Sequence, residues 1–412
     1  MNRRAYYLIL LIPSVFGATG CHEGVRGHLA NPGLDNRRIK TTLFFAGQAR
    51  DGSVWYKCYA PPNLDKYSVW PLDWVHLKWS ESDANRDFTL DRMIEAGVNI
   101  VTMSSWGESF FECNGSWSSW APMQTAPAAH DELFDAAVRK QLLIMPLIES
   151  RDDWHFRGEF PTGYDPAMNQ WGVIAPGTVS QIVELINRYV SNPRHPEWQK
   201  RWARVYNRNG EARYAISIIQ VASDPLDPND PQAHRKFAEG FDAIAQRVAE
   251  KTNGVKVGFF IDVLPSGTYA PGRFRPTPEE TGPELTNTDS ILGIQCYLPE
   301  VWLGIEDIDQ LINWKWEFSR RWWLTGIPFL MDVAPGYDNR IVFPNTPLAF
   351  GFNDRWKNAQ SDMVRAFGEN GLHYNFWNGY TEGVTAVPMQ RLLDDTYCCG
   401  ATFYEWFKSL NP

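Results

Sequence analysis

Eight short apolar runs, each followed by a longer stretch with helical periodicity, constrain this chain more than any other feature. The runs are TTLFFAG (41–47), VNIVTM (98–103), LLIMPLI (142–148), AISIIQVA (215–222), VKVGFFI (255–261), SILGIQCY (290–297), IPFLMDV (327–333) and LHYNFW (372–377). They are mostly apolar rather than alternating, the pattern of parallel strands covered on both faces. Between them lie stretches such as RDFTLDRMIEAG (86–97), HDELFDAAVRKQ (130–141), PQAHRKFAEGFDAIAQRVAEK (231–251) and DIDQLINWKWEFSRRW (307–322). Their apolar residues recur every three or four positions, so each helix has one face to lay on a sheet. Eight such units in succession predict an α/β fold, a single (β/α)8 barrel with loop insertions. A doubly wound open sheet is the rival, and its nucleotide-binding form is disfavoured because no GxGxxG follows the first run.

The length of 412 residues fits one large barrel as well as two or three average domains, and the strand pattern makes the choice. No internal repeat beyond the alternation and no Pro/Ser linker opens a second domain. A net charge of −9 argues against a nucleic-acid partner, which needs a basic face. The aromatic content of 14%, with 19 Trp, calls for a surface that uses flat, amphipathic rings.

The first twenty residues have a basic start, an apolar middle and small residues ahead of Cys21, the grammar of a secretory signal. The stretch is too short and too broken by Pro and Gly for a spanning helix. GATG followed by Cys21 resembles a bacterial lipoprotein box, which implies cleavage before Cys21, lipidation of that residue and an exported, membrane-anchored protein. Residues 21–40 lack periodicity and read as a tether, leaving 41–412 for the barrel. The lipid is then the only membrane contact, and the chain is expected to act as a monomer. Five Cys remain after Cys21, so at least one is unpaired. Cys58 and Cys113, each in a loop after an early strand, form the expected disulfide, and Cys296 reads as a buried thiol.

Barrel sites are built from the loops that leave the C-terminal ends of the strands. Strand two is followed by Trp106 and Glu108, and strand three by Glu149, Arg151 and Trp154. Strand four ends near Asp224, strand five at Asp262, strand six near Tyr297, and strand seven at Asp332 with Tyr337 beyond. Carboxylates with aromatics nearby suit carbohydrate: sugar CH faces stack on rings, hydroxyls bond to polar groups, and paired carboxyls cleave the glycosidic bond. Any one of these acids is as readily a helix N-cap, so the inference rests on the set. There is no HExxH, no GxSxG elbow and no P-loop, and neither a metal nor a cofactor is expected. DPLDPNDP (224–231) and ESRDD (149–153) offer oxygen ligands for Ca²⁺, but the Pro content of the first reads more simply as a turn-rich loop.

The stretch FWNGYTEG (376–383) followed by VTAVP (384–388) resembles the strand-eight motif of the family 99-like glycoside hydrolases, Trp-Asn-Glu-Trp-(Thr/Ala)-Glu-Gly. It is also similar to the Trp-Asn-Asp-Tyr-Gly-Glu stretch of family 71 α-glucanases. Trp377, Asn378, Tyr380, Thr381, Glu382 and Gly383 fit the pattern. The resemblance implies that Glu382 is the general acid, with Trp377, Asn378 and Tyr380 lining the sugar site. It also implies a second carboxylate three residues earlier, where this chain has Gly379. Three explanations stay open. Glu149, Asp262 or Asp332 supplies the second function; the protein binds glycan without cleaving it; or Glu382 only braces its loop. Of the neighbouring Phe376 and Trp377 only one can face inward, and Trp377 is the expected one.

Overall fold

The computed structural model describes residues 38–46, 68–105, 126–149, 163–165, 170–173, 176–219, 231–263, 276–305, 307–341, 344–345, 347–380, 383–391 and 399–412. All eight expected strands are present. They run Ile39–Phe44, Ile100–Ser105, Leu143–Glu149, Ala212–Ile219, Val257–Asp262, Ile291–Gln295, Met331–Val333 and Gly371–Phe376, and are numbered one to eight here. Each pairs in parallel with its sequence neighbour, and strand one pairs with strand eight. Strands six and seven close the ring through a parallel bridge, Ile294 with Phe329, in which Ile294 N donates to Pro328 O (2.8 Å) and Leu330 N to Ile294 O (2.9 Å). Gly293 permits this closure, because a Cβ there would stand 2.6 Å from Pro328 O. Strand one begins at Ile39, inside the segment read as tether.

Alternation along the strands sorts side chains into two cores. Outward residues pack against helices that include Asp83–Glu95, Ala126–Lys140, Ala233–Lys251, Ile308–Trp323, Asp354–Phe367 and Thr402–Ser409. Three of these helices start at side-chain caps: Ser82 accepts from Asn85 N, Asp307 from Asp309 N and Gln310 N, and Asn353 from Trp356 N. The inward core is apolar at its base, with Ile39, Ile100, Leu143, Ala215, Leu292 and Leu330. Higher up it turns polar, with a Thr41–Thr102 hydroxyl pair at 2.7 Å and the buried side chains of Ser217, Gln295 and His373.

Short antiparallel pairs decorate the C-terminal end of the barrel. Asn378–Gly379 pairs with Val384–Thr385 directly after strand eight, and Val69–Pro71 pairs with Met389–Arg391 beside it. The two are joined, since Ser68 N and Val69 N both donate to Tyr380 O at 3.0 and 3.2 Å.

Candidate active site

The upper rim of strands one, three, six and eight forms an aromatic floor. Phe45 and Phe376 stack at 5.5 Å with an interplanar angle of 14°, over a cluster of Leu43, Leu147 and Tyr297. Phe376 reaches the interior because strand eight carries one extra residue: Thr42 pairs with Tyr374, but Leu43 pairs with Phe376. Such a bulge lets Asn375 and Phe376 both face inward and turns the next side chain out. Trp377 is therefore in the outer layer, fully buried against His76 and Tyr404. This overturns the expectation that Trp377 lines the pocket. Phe376 and Phe45 have the position that the sequence reading gave to Trp377, and neither was named as a site residue.

Asn378 and Tyr380 are also structural. The Asn378 amide accepts from Phe45 N (3.0 Å) and donates to Phe45 O (3.1 Å), extending the ladder between strands one and eight past the bulge. With the side chain 1% exposed and bonded to backbone on both sides, it has no face for a sugar. The Tyr380 ring is equally buried, in the outer core, and not in a cleft.

Tyr297, at the end of strand six, is held from three sides. Its N–H donates to Asp262 Oδ1 (3.1 Å), its hydroxyl bonds to Ser217 Oγ (3.1 Å), and its ring stands edge-on to His373 at 4.4 Å. Gln295 donates to the same Ser217 hydroxyl. Burial drives His373 down to a pKa of about 3, so it is neutral at pH 7. Asp262 is fully buried beneath Tyr297. Tyr337 is buried on the neighbouring rim and stacks on Phe350 at 5.9 Å.

Asp332 belongs to a buried ionic cluster that the sequence did not reveal. Lys315 enters from the helix after strand six and bonds to Glu300 and to Asp332 Oδ2 (2.8 Å), while Asn375 Nδ2 donates to Asp332 Oδ1. Asn375 Oδ1 accepts from Leu298 N (2.9 Å), tying strand eight to the loop after strand six. Burial, and then the charge of Glu300, push Asp332 up to about 7 against the pull of Lys315. Burial alone would lower Lys315, but the two carboxylates outweigh it and raise its pKa. A carboxyl near 7 suits a general acid. Asp332 nevertheless has both oxygens bonded and is 2% exposed, so it lacks access to a substrate.

Glu149 ends strand three, paired with Ile219; its side chain lies outside the described residues, as do Glu382, Trp106, Glu108, Arg151, Trp154 and Asp224. Cys21, Cys58 and Cys113 lie outside them too, whereas Cys296 is a free, buried thiol and Cys399 is buried. Gly379 lies in the hairpin directly after strand eight. A Cβ on it would fall well inside contact with Val384 O and 3.0 Å from Phe376 Cβ, so the hairpin leaves no room for the carboxylate that the resemblance implies there.

Among the described residues, Asp135, His195 and Glu197 form the one group with metal-ligand spacing, each offering a ligand atom within 4.8 Å of the others. His195 and Glu197 belong to the segment that leads into strand four, at the opposite end of the barrel from the aromatic floor.

The geometry can be set beside solved structures. A family 99 endo-alpha-mannosidase from Bacteroides thetaiotaomicron superposes with a TM-score of 0.52 at 16% identity, covering 90% of this chain and 95% of that one. The chain shares the (β/α)8-barrel fold of that enzyme. A "glycoside hydrolase-like protein" gives 0.49 at 10% identity over 90% of this chain and 94% of the other. The catalytic domain of the major endoglucanase from Xanthomonas campestris pv. campestris gives 0.46 at 11% over 93% and 98%. No family model and no curated protein matches the sequence. The resemblance to family 99 is therefore remote, and it is one of fold.

Proposed function

We propose that the protein is a glycoside hydrolase acting on an oligo- or polysaccharide at the C-terminal mouth of the barrel, with Glu382 as general acid. The observation that carries this reading is the hairpin of Asn378–Gly379 and Val384–Thr385, set on the end of strand eight beside the Phe45–Phe376 floor. Its connection, residues 380–383, is the segment that contains Glu382. Aromatic floors suit the CH faces of sugars, and a carboxylic acid beside one can protonate the leaving oxygen.

Of the three carboxylates offered as its partner, Asp332 is bonded at both oxygens and Asp262 is fully buried with one oxygen on Tyr297 N. Glu149, at the end of strand three, is the partner we propose. In the reaction Glu382 gives its proton to the departing glycosidic oxygen. Glu149 either takes a proton from the attacking water or attacks the anomeric carbon itself before water releases the sugar. The first route inverts the anomeric centre and the second retains it. α-Mannans are the first substrates to screen, given the activity named for the family 99 structure of like fold. Export and lipidation at Cys21 belong to the same reading, which places the enzyme on a bacterial membrane surface.

One observation favours a second reading. Because the hairpin excludes any side chain at 379, the strand-eight pair of the family cannot form here. A non-catalytic, surface-anchored glycan binder accounts for that directly. Digestion assays with native protein, Glu382→Gln and Glu149→Gln separate the two. The hydrolase reading expects products from the native chain alone, and the binder reading expects affinity without products from any of the three.

A further inference from the structure

The ribbon beside the strand-eight hairpin has two unlike faces. Val69, Pro71, Met389 and Arg391 point inward and are buried, while Trp70 and Gln390, paired across the ribbon, point outward. Trp70 is 42% exposed, and Leu72, two residues along on the same strand direction, is 55% exposed. Burying an indole is strongly favourable, so one left at the surface of a rigid element marks a contact surface when other groups surround it in a fitting pattern. The ribbon is rigid for identifiable reasons. Ser68 N and Val69 N bond to Tyr380 O, Leu72 N bonds to Pro388 O (2.9 Å), and the Arg391 guanidinium is held by the buried Asp338 carboxylate (2.6 Å) and lies 4.4 Å over the Phe352 ring.

We propose that Trp70, with Gln390 and Leu72, forms an outer sugar-stacking subsite that takes the part of an oligosaccharide extending out of the barrel mouth. This inference rests on the carbohydrate reading above and adds to it a residue and a chain-length preference. The indole offers a flat apolar face for a pyranose ring, and the Gln390 amide, directly opposite in register, can both donate to and accept from its hydroxyls. The ribbon's attachment to Tyr380 makes it continuous with the connection that contains Glu382. Three residues per strand span about 10 Å. That matches the length of one or two sugar rings. A platform held from behind loses little freedom on binding, so its stacking energy is retained as affinity.

The test is calorimetric titration of the full chain with α-mannooligosaccharides and cello-oligosaccharides, from disaccharide to octasaccharide, repeated with Trp70→Ala, Trp70→Phe and Gln390→Ala. The proposal expects affinity of the native chain to rise with oligosaccharide length, and Trp70→Ala to lose about tenfold, or about 1.4 kcal/mol, for the longer ligands with no change for the shortest. Trp70→Phe should recover most of the loss. Equal affinity of native and Trp70→Ala chains at every length overturns the subsite and leaves the carbohydrate reading standing. So does a uniform loss at all lengths, which would mark a general disturbance of the mouth. If the native chain binds neither series while its circular dichroism is that of a folded barrel, the carbohydrate reading falls for these glycans and the subsite falls with it.

Discussion

At position 379 there is no space for a side chain, because Val384 O and Phe376 Cβ occupy the volume a Cβ would need. Gly379→Ala is therefore expected to lower stability by about 1–3 kcal/mol, the usual cost of overpacking. Gly379→Glu, which restores the family pattern in sequence, should cost at least as much and create no catalytic pair. Urea unfolding midpoints of the two variants measure the first point, and a glycan digestion assay of Gly379→Glu measures the second; a stable, more active Gly379→Glu would show that the hairpin has room to open. The neighbouring Asn378→Ala should lose about 1–3 kcal/mol, since Phe45 N and O lose their partner in a part-buried ladder. A sugar-binding role would instead leave stability unchanged and weaken ligand affinity.

At the scale of elements, Lys315 links the helix Ile308–Trp323 to strands seven and eight through Glu300, Asp332 and Asn375. Lys315→Met leaves two buried carboxylates without their cation and is expected to cost about 3–5 kcal/mol. Lys315→Met combined with Asp332→Asn should recover part of this, as the second change removes one of the stranded charges. Equal stability of the native and Lys315→Met chains in denaturant would contradict the ion cluster. The eight strands were legible because their buried, two-sided runs are a local pattern in the sequence. The Lys315 cluster was not, because within INWKWEF the lysine is one polar residue on an amphipathic helix, and only the packing of that helix on strand seven buries it. The wrong choice between Phe376 and Trp377 has a similar origin. Alternation correctly allowed only one of them inside, but the extra residue that shifts the register of strand eight depends on its pairing with strand one. Two- and three-residue strands such as Asn378–Gly379 and Val69–Pro71 are too short to show any period in the sequence.

For the whole molecule, burial makes several histidines a source of acid lability. His76 and His130 are lowered to about 4 and His373 to about 3, in each case by desolvation first. In the unfolded chain they titrate near 6.5. Between about pH 6.5 and 4 the unfolded state thus binds protons that the folded state does not, and each histidine costs up to about 1.4 kcal/mol per pH unit as the pH falls. Asp332, raised to about 7 when folded, binds its proton in the native state first and opposes this trend between about pH 7 and 4. Three groups against one predict a lower denaturation midpoint at pH 5 than at pH 7, and equal midpoints would refute the assignment of neutral, buried histidines. Glycan cleavage at this barrel, with Glu382 as the acid, is tested by product analysis of native and Glu382→Gln chains incubated with α-mannan and a panel of other polysaccharides. Shortened saccharides are expected from the native chain and none from Glu382→Gln, which should still bind the glycan. Equal product yields from both, or binding by both with no products from either, would contradict this assignment, the latter pointing to a barrel that holds sugar without cutting it.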